Sequence, residues 1–304
     1  MVNETPKTVL ELHQAFRSAK SPEKITQEPF DSTPQHLRRL RRLQAGEQAE
    51  PKDLWEYTQD LLYGKEIQGP LLAHVLPFCL EAWRLDLRGL ESGYGGFVEY
   101  LYPMLANCHV FDLHLSPNLS AAATAFIRHT ILEEIDDQRG LSYQGSGARP
   151  YGWIGALTTY GVLLPDIELL WRLWWSVETT GKATAALQYI SCLMYPTNEN
   201  PIVAPWTPDG GGGPPCLWEF AGHLYNHRWM DLNIAFLRRM LTPQRARDVI
   251  NKAVGMIRGL PEHETAVELQ KDFPLCIETL EARCSELPQI LEKLNNSGPL
   301  EWTI

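Results

Sequence analysis

The chain has 304 residues, 44% of them hydrophobic and 21% charged, with a formal net charge of −10. That length and balance suit a substantial buried core and exclude a wholly disordered chain. The acidic excess argues against general nucleic-acid binding, because phosphate contacts need a positive field.

The N-terminus, MVNETPKTVLELHQAF, holds no apolar run of signal-peptide length. No later window is long and apolar enough to span a bilayer, so the expected setting is cytoplasmic, with no membrane partner. Ser or Thr followed directly by Pro and then by a helical period recurs at Thr5-Pro6, Ser21-Pro22, Thr33-Pro34, Ser116-Pro117 and Thr242-Pro243. The hydroxyl can cap free amides, and Pro at the first helical position loses no needed hydrogen bond. A kinase could read the same dipeptides, but capping needs no further assumption.

Residues 1–50 read as a polar N-terminal helical arm. Within it Leu37, Leu40 and Leu43 lie beside Arg38, Arg39, Arg41 and Arg42. A basic docking stripe would have this pattern, and so would a solvated amphipathic helix laid on the body, which is the simpler reading. Residues 51–295 read as a single helical domain. Leu54, Thr58, Leu61 and Leu62 give its first helix an inward face. Leu72, Val75, Leu76, Cys79, Leu80 and Trp83 give the second a broad one, with Pro77 either kinking it or starting its main part. Pro117 to Asp137 keeps one period from Leu119 through Ile135. Three helical patterns follow, Trp153 to Leu163, Pro165 to Trp175 and Lys182 to Tyr195, the last apolar on nearly every side. After Trp229, one helix is expected to bury Leu232, Ala235, Phe236 and Met240, and the next Val249, Ile250, Ala253, Val254 and Ile257. Patterns at Phe273 to Cys284 and Leu287 to Leu294 precede a tail at 296–304.

The expected fold is therefore all-α, an irregular multi-helix array with a solenoid-like rhythm and a Trp-rich centre. Seven of the ten tryptophans fall between Tyr143 and Trp229. The same stretch contains a Pro/Gly-rich loop, 196–215, too long to be an ordinary connection and expected to be ordered by aromatic packing.

Several motif classes are absent. The glycines at 210–213 are not followed by Lys-Ser or Lys-Thr, Gly93-Tyr94-Gly95-Gly96 lacks a third glycine at dinucleotide spacing, and no serine sits in a GxSxG elbow. The six cysteines form no CxxC pair and read as buried thiols of a reducing compartment. Glu219, His223 and His227, spaced i, i+4, i+8, would share a helix face able to hold one divalent transition metal, or would simply be a solvated polar face. His129, Glu133 and Asp137 repeat that spacing at a helix C-terminus, where acidic groups oppose the dipole; a salted helix end explains them equally well. Tyr151, Trp153, Tyr195, Trp206, Trp218 and Tyr225, with Asp209, surround the Pro/Gly segments. Aromatics in that setting make interface anchors, or the core of a Trp-rich domain.

Without a catalytic motif, the leading expectation is a non-catalytic, cytoplasmic protein-binding module of accessory or immunity type. It would present the aromatic segment to a protein partner, a basic one given the net charge, and need no cofactor. The alternative is a metal-dependent enzyme of hydrolytic type using the Glu219/His223/His227 face.

Overall fold

The structure is a computed structural model that describes residues 6–30, 33–64, 66–87, 101, 104–105, 109–137, 167–195 and 231–296. Among them the fold is all-α: helices joined by turns, with no strand. The chain divides into two compact units, 1–130 and 131–304, and the division falls inside the helix Pro117–Asp137.

The first unit contains α1 (Lys7–Ala15), a 3₁₀ turn (Phe16–Ser18), α2 (Gln35–Arg42), α3 (Pro51–Tyr63), α4 (Gly69–Leu87), a π turn (Val110–His114) and the start of α5 (Pro117–Asp137). Its axis is α4, which touches α1, the 3₁₀ turn, α2, α3 and the π turn. The reason lies in its sequence. Leu72, Val75, Leu76, Cys79, Leu80 and Trp83 are all almost completely buried, each large apolar side chain contributing about 1.5–3 kcal/mol. Pro77 sits inside this helix without ending it. The basic helix α2 is amphipathic: Leu37 and Leu40 are buried while Arg38 and Arg42 are exposed. Residues from the first fifty thus supply Val9, Leu12, Phe16, Leu37 and Leu40 to this core.

The second unit contains the end of α5, α6 (Ile167–Trp175), α7 (Thr180–Met194), α8 (Asp231–Met240), α9 (Pro243–Met256), α10 (His263–Asp272) and α11 (Ile277–Asn296). Here α7 is central. It touches α6, α9 and α11, and every side chain from Ala183 to Met194 is buried. Thr179 starts it, its hydroxyl accepting the Lys182 amide at 3.3 Å. A Cβ on Gly181 would run into the backbone of Asp136, with that residue's Cα only 2.5 Å away. Only glycine lets α7 begin so close to the end of α5.

On α6, Trp171, Trp174 and Trp175 turn inward against Tyr189 of α7. The Trp171 ring lies 5.1 Å from Trp174, from Trp175 and from Tyr189, crossing the last nearly edge-on at 80°. Edge-to-face indoles of this kind gain about 0.5–1.5 kcal/mol per pair beyond their buried area. Between α6 and α7, Val177 takes a φ of +51° while fully buried. A β-branched residue there is strained, and the enclosed side chain is what holds it.

Several local expectations need correcting. Thr242 caps α9, accepting the Arg245 amide at 3.3 Å, and Ser116-Pro117 and Thr33-Pro34 stand at the starts of α5 and α2. Ser21-Pro22 starts no helix, because the Ser21 hydroxyl donates instead to the Arg41 carbonyl at 2.7 Å. Leu232 is 74% exposed, and Ile234 and Leu237 take the inward positions of α8. The two C-terminal patterns form one helix, α11, that runs through Pro288. The segments 153–163 and 196–215 and the tail from 297 lie outside the described residues. No described helix is long and apolar enough to cross a membrane.

Candidate small-molecule pocket

Within the first unit, the end of α1, the 3₁₀ turn, the bend after α2 and the middle of α4 line a partly open cavity of about 350 Å³. That volume is at the small end of the range for ligand sites. Its apolar part is made by Phe16, Leu43, Pro77 and Phe78. Phe78 is held by two imidazoles. The His13 ring meets it edge-on at 5.0 Å between centroids, and the His74 ring, one helical turn earlier on α4, at 6.1 Å.

The two histidines differ. His13 Nε2 lies 3.1 Å from Glu81 Oε2. An ionised carboxylate can only accept, so the imidazole donates from that nitrogen and its ring orientation is fixed. His74 Nε2 is buried and, among the described residues, has no hydrogen-bond partner. Burial pushes the His74 pKa below its ordinary 6.5, and the carbonyls of Leu40 and Ala19 offset part of that. A neutral imidazole therefore lines one side of the cavity.

Arg17 and Lys20 line the cavity as well, and neither forms an ion pair within the described residues. No carboxylate is among the described lining residues. The surrounding backbone is tied down. Ser21 donates to the carboxyl end of α2, the Arg41 guanidinium returns a bond to the Glu23 carbonyl, and Gly46 makes the turn after α2 at a φ of +92°.

Beside this cavity, the unit contains a separate polar cluster. His36 is fully buried, with Nε2 2.5 Å from Asp60 Oδ2 and Nδ1 3.3 Å from Glu56 Oε2. Asp60 also accepts the Phe30 amide at 2.8 Å. Arg39 grips Asp53 through two nitrogens, Nε at 2.6 Å and Nη2 at 2.5 Å. This network clamps α2 to α3. It is closed on itself, with its acceptors occupied, so it positions the pocket's second wall and does not form a site.

Most of the residues expected from sequence fall elsewhere. Tyr151, Trp153, Trp206, Asp209, Trp218 and Tyr225, and the possible metal face of Glu219, His223 and His227, lie outside the described residues. Tyr195 is half-buried at the end of α7. Its hydroxyl donates to Asp272 Oδ2 at 2.8 Å and its carbonyl accepts from Arg283 at 2.7 Å. Burial, then the Asp272 carboxylate, raises its pKa. His129, Glu133 and Asp137 follow one another along α5, with His129 and Asp137 exposed and Glu133 half-buried. Among the described residues no three His, Cys, Asp or Glu side chains group closely enough to hold a metal ion. Cys79, Cys192 and Cys284 are buried free thiols, and burial pushes Cys79 up to about 12; Cys108 and Cys216 lie outside the described residues.

The pocket residues His13 and His74 were not singled out by pattern. One signal was available: His74 is the only polar residue in the run LLAHVLPFCL, and a lone imidazole there requires either a partner or a cavity. No family model matches the chain, and no curated protein or solved structure matches it either.

Proposed function

We propose that this is a non-catalytic binding protein whose first unit holds a small molecule in the His13/His74 pocket. The observation that carries the reading is the cleft itself, lined by Phe16, Phe78, two imidazoles and two cations that form no ion pair among the described residues. Few convergent polar groups around apolar walls is the composition of ligand sites. None of the described lining residues supplies an activated nucleophile, since the Ser21 hydroxyl is committed to a backbone carbonyl. The test is a fragment library screened by thermal shift against the protein and against Ala45→Trp, which fills the cavity mouth. Stabilising fragments that lose their effect in the variant support the reading; fragments that stabilise both proteins equally, or none at all, overturn it.

A protein partner is a second reading, favoured by one observation. While α6 buries its tryptophans on one face, Leu169 and Leu173 on the other are 40% and 37% exposed. A helix apolar on both faces suits a surface that another chain covers. Leu169→Glu with Leu173→Glu should abolish co-purification of such a partner while leaving the circular dichroism unchanged, and co-purification that persists counts against it.

A further inference from the structure

We infer that the pocket takes an organic monoanion: a carboxylate at Arg17 and Lys20, carried on a flat apolar body that lies against Phe78 and Pro77. This rests on the reading of the pocket as a ligand site, and it follows from eliminating other chemistries against the described lining. A cation would meet Arg17 and Lys20 with no carboxylate to receive it. A bare inorganic anion would use those two heads but leave Phe16, Pro77 and Phe78 without contact. A pure hydrocarbon would use the aromatic wall and gain nothing from the two cations beside it. An apolar anion uses both the cations and the apolar wall.

The electrostatics point the same way. The chain as a whole carries −10, so a cavity whose described lining has two cations and no acid runs against the average. Arg17 and Lys20 form no ion pair among the described residues, whereas Glu81, Asp60 and Asp53 are paired with His13, His36 and Arg39, so the two cations are available to a ligand. Arg17 lies in the 3₁₀ turn and Lys20 two residues beyond its end, and both line the same cleft. Both residues are exposed, so their charged heads can reach a carboxylate without being desolvated beforehand.

The experiment uses 2-naphthoate, its neutral counterpart 2-naphthamide, and inorganic phosphate, titrated into the full chain by calorimetry and followed through the His13 and His74 ring resonances. Naphthoate is expected to bind and to move both rings, with naphthamide about tenfold weaker or worse, as loss of a charge-assisted contact implies. Arg17→Gln with Lys20→Gln should bring naphthoate down to the naphthamide level and leave naphthamide unchanged. Equal binding of the two compounds, with both rings moving, overturns the anion assignment while sparing the pocket as a ligand site. Phosphate that binds as tightly as naphthoate and moves the same rings overturns the apolar body. If none of the three moves either ring, the pocket reading fails together with the assignment.

Discussion

The two units build helical cores by different means. The first unit threads charge through its interior: His36, Asp53 and Asp60 are buried, and their partners clamp α2 to α3. The second is filled by indoles and by a helix, α7, whose residues 183–194 are buried on every side. Directional bonds fix positions even where space is left open, whereas ring packing fixes positions by occupying the space. The first unit is accordingly where a described cavity occurs beside ordered walls. Its polar clamp lets the wall carrying Leu43 and Gln44 stand in place without a side chain to fill the gap.

Substitution can break each mode. Trp171→Ala removes the ring at the centre of the indole cluster and should cost about 4–5 kcal/mol, read from urea unfolding; a loss under about 1 kcal/mol would show that the cluster does not hold the second unit. Asp60→Ala leaves His36 buried opposite an empty acceptor position and frees the Phe30 amide, so about 3–4 kcal/mol should be lost. If Asp60→Ala were nearly neutral, the clamp would be ornamental and the contrast between the units would fail. Thr242→Ala deletes the cap of α9 and should cost about 1 kcal/mol.

The smallest effect is a slope with pH. Burial holds His74 below 6.5 in the fold, while the unfolded chain takes up its proton near that value. Between the folded and unfolded values the unfolded state binds more protons. The contribution is therefore intact above 6.5 and declines as the pH falls below it, levelling off once the folded imidazole is itself charged. His74→Gln should flatten that part of the stability–pH curve, measured by unfolding midpoint between pH 7.5 and about 5. An unchanged curve would mean that the ring is solvated and the cavity more open than described.

Much of the fold could be read from periodicity. Helix α4 declares itself because six large apolar residues share its face, and α5 runs over the span its pattern marks out, Pro117–Asp137. Helix α10 escapes the same reading because only Ala266 and Leu269 are buried, too few for a period to emerge from HETAVELQKD. At α11 the error is of the opposite kind: the patterns Phe273 to Cys284 and Leu287 to Leu294 read as two elements, yet one helix joins them and runs through Pro288. The pocket was illegible for a geometric reason. Its lining comes from residues 13–21, 43–45 and 74–78, and only the fold brings those three stretches together. The aromatic and Glu/His/His sites that sequence favours lie outside the described residues, apart from Tyr195, whose hydroxyl is spent on Asp272.

Pro77 has a mechanical consequence. A proline has no amide hydrogen, so α4 is one backbone bond short where the Ala73 carbonyl would have been met, and that shortfall lies in the helix that floors the cavity. Bending a helix is cheapest where its ladder is already interrupted. The cavity floor is thus built on the one turn of the helix where Pro77 removes a ladder bond, the place where bending to suit a guest of the proposed kind would meet least backbone resistance.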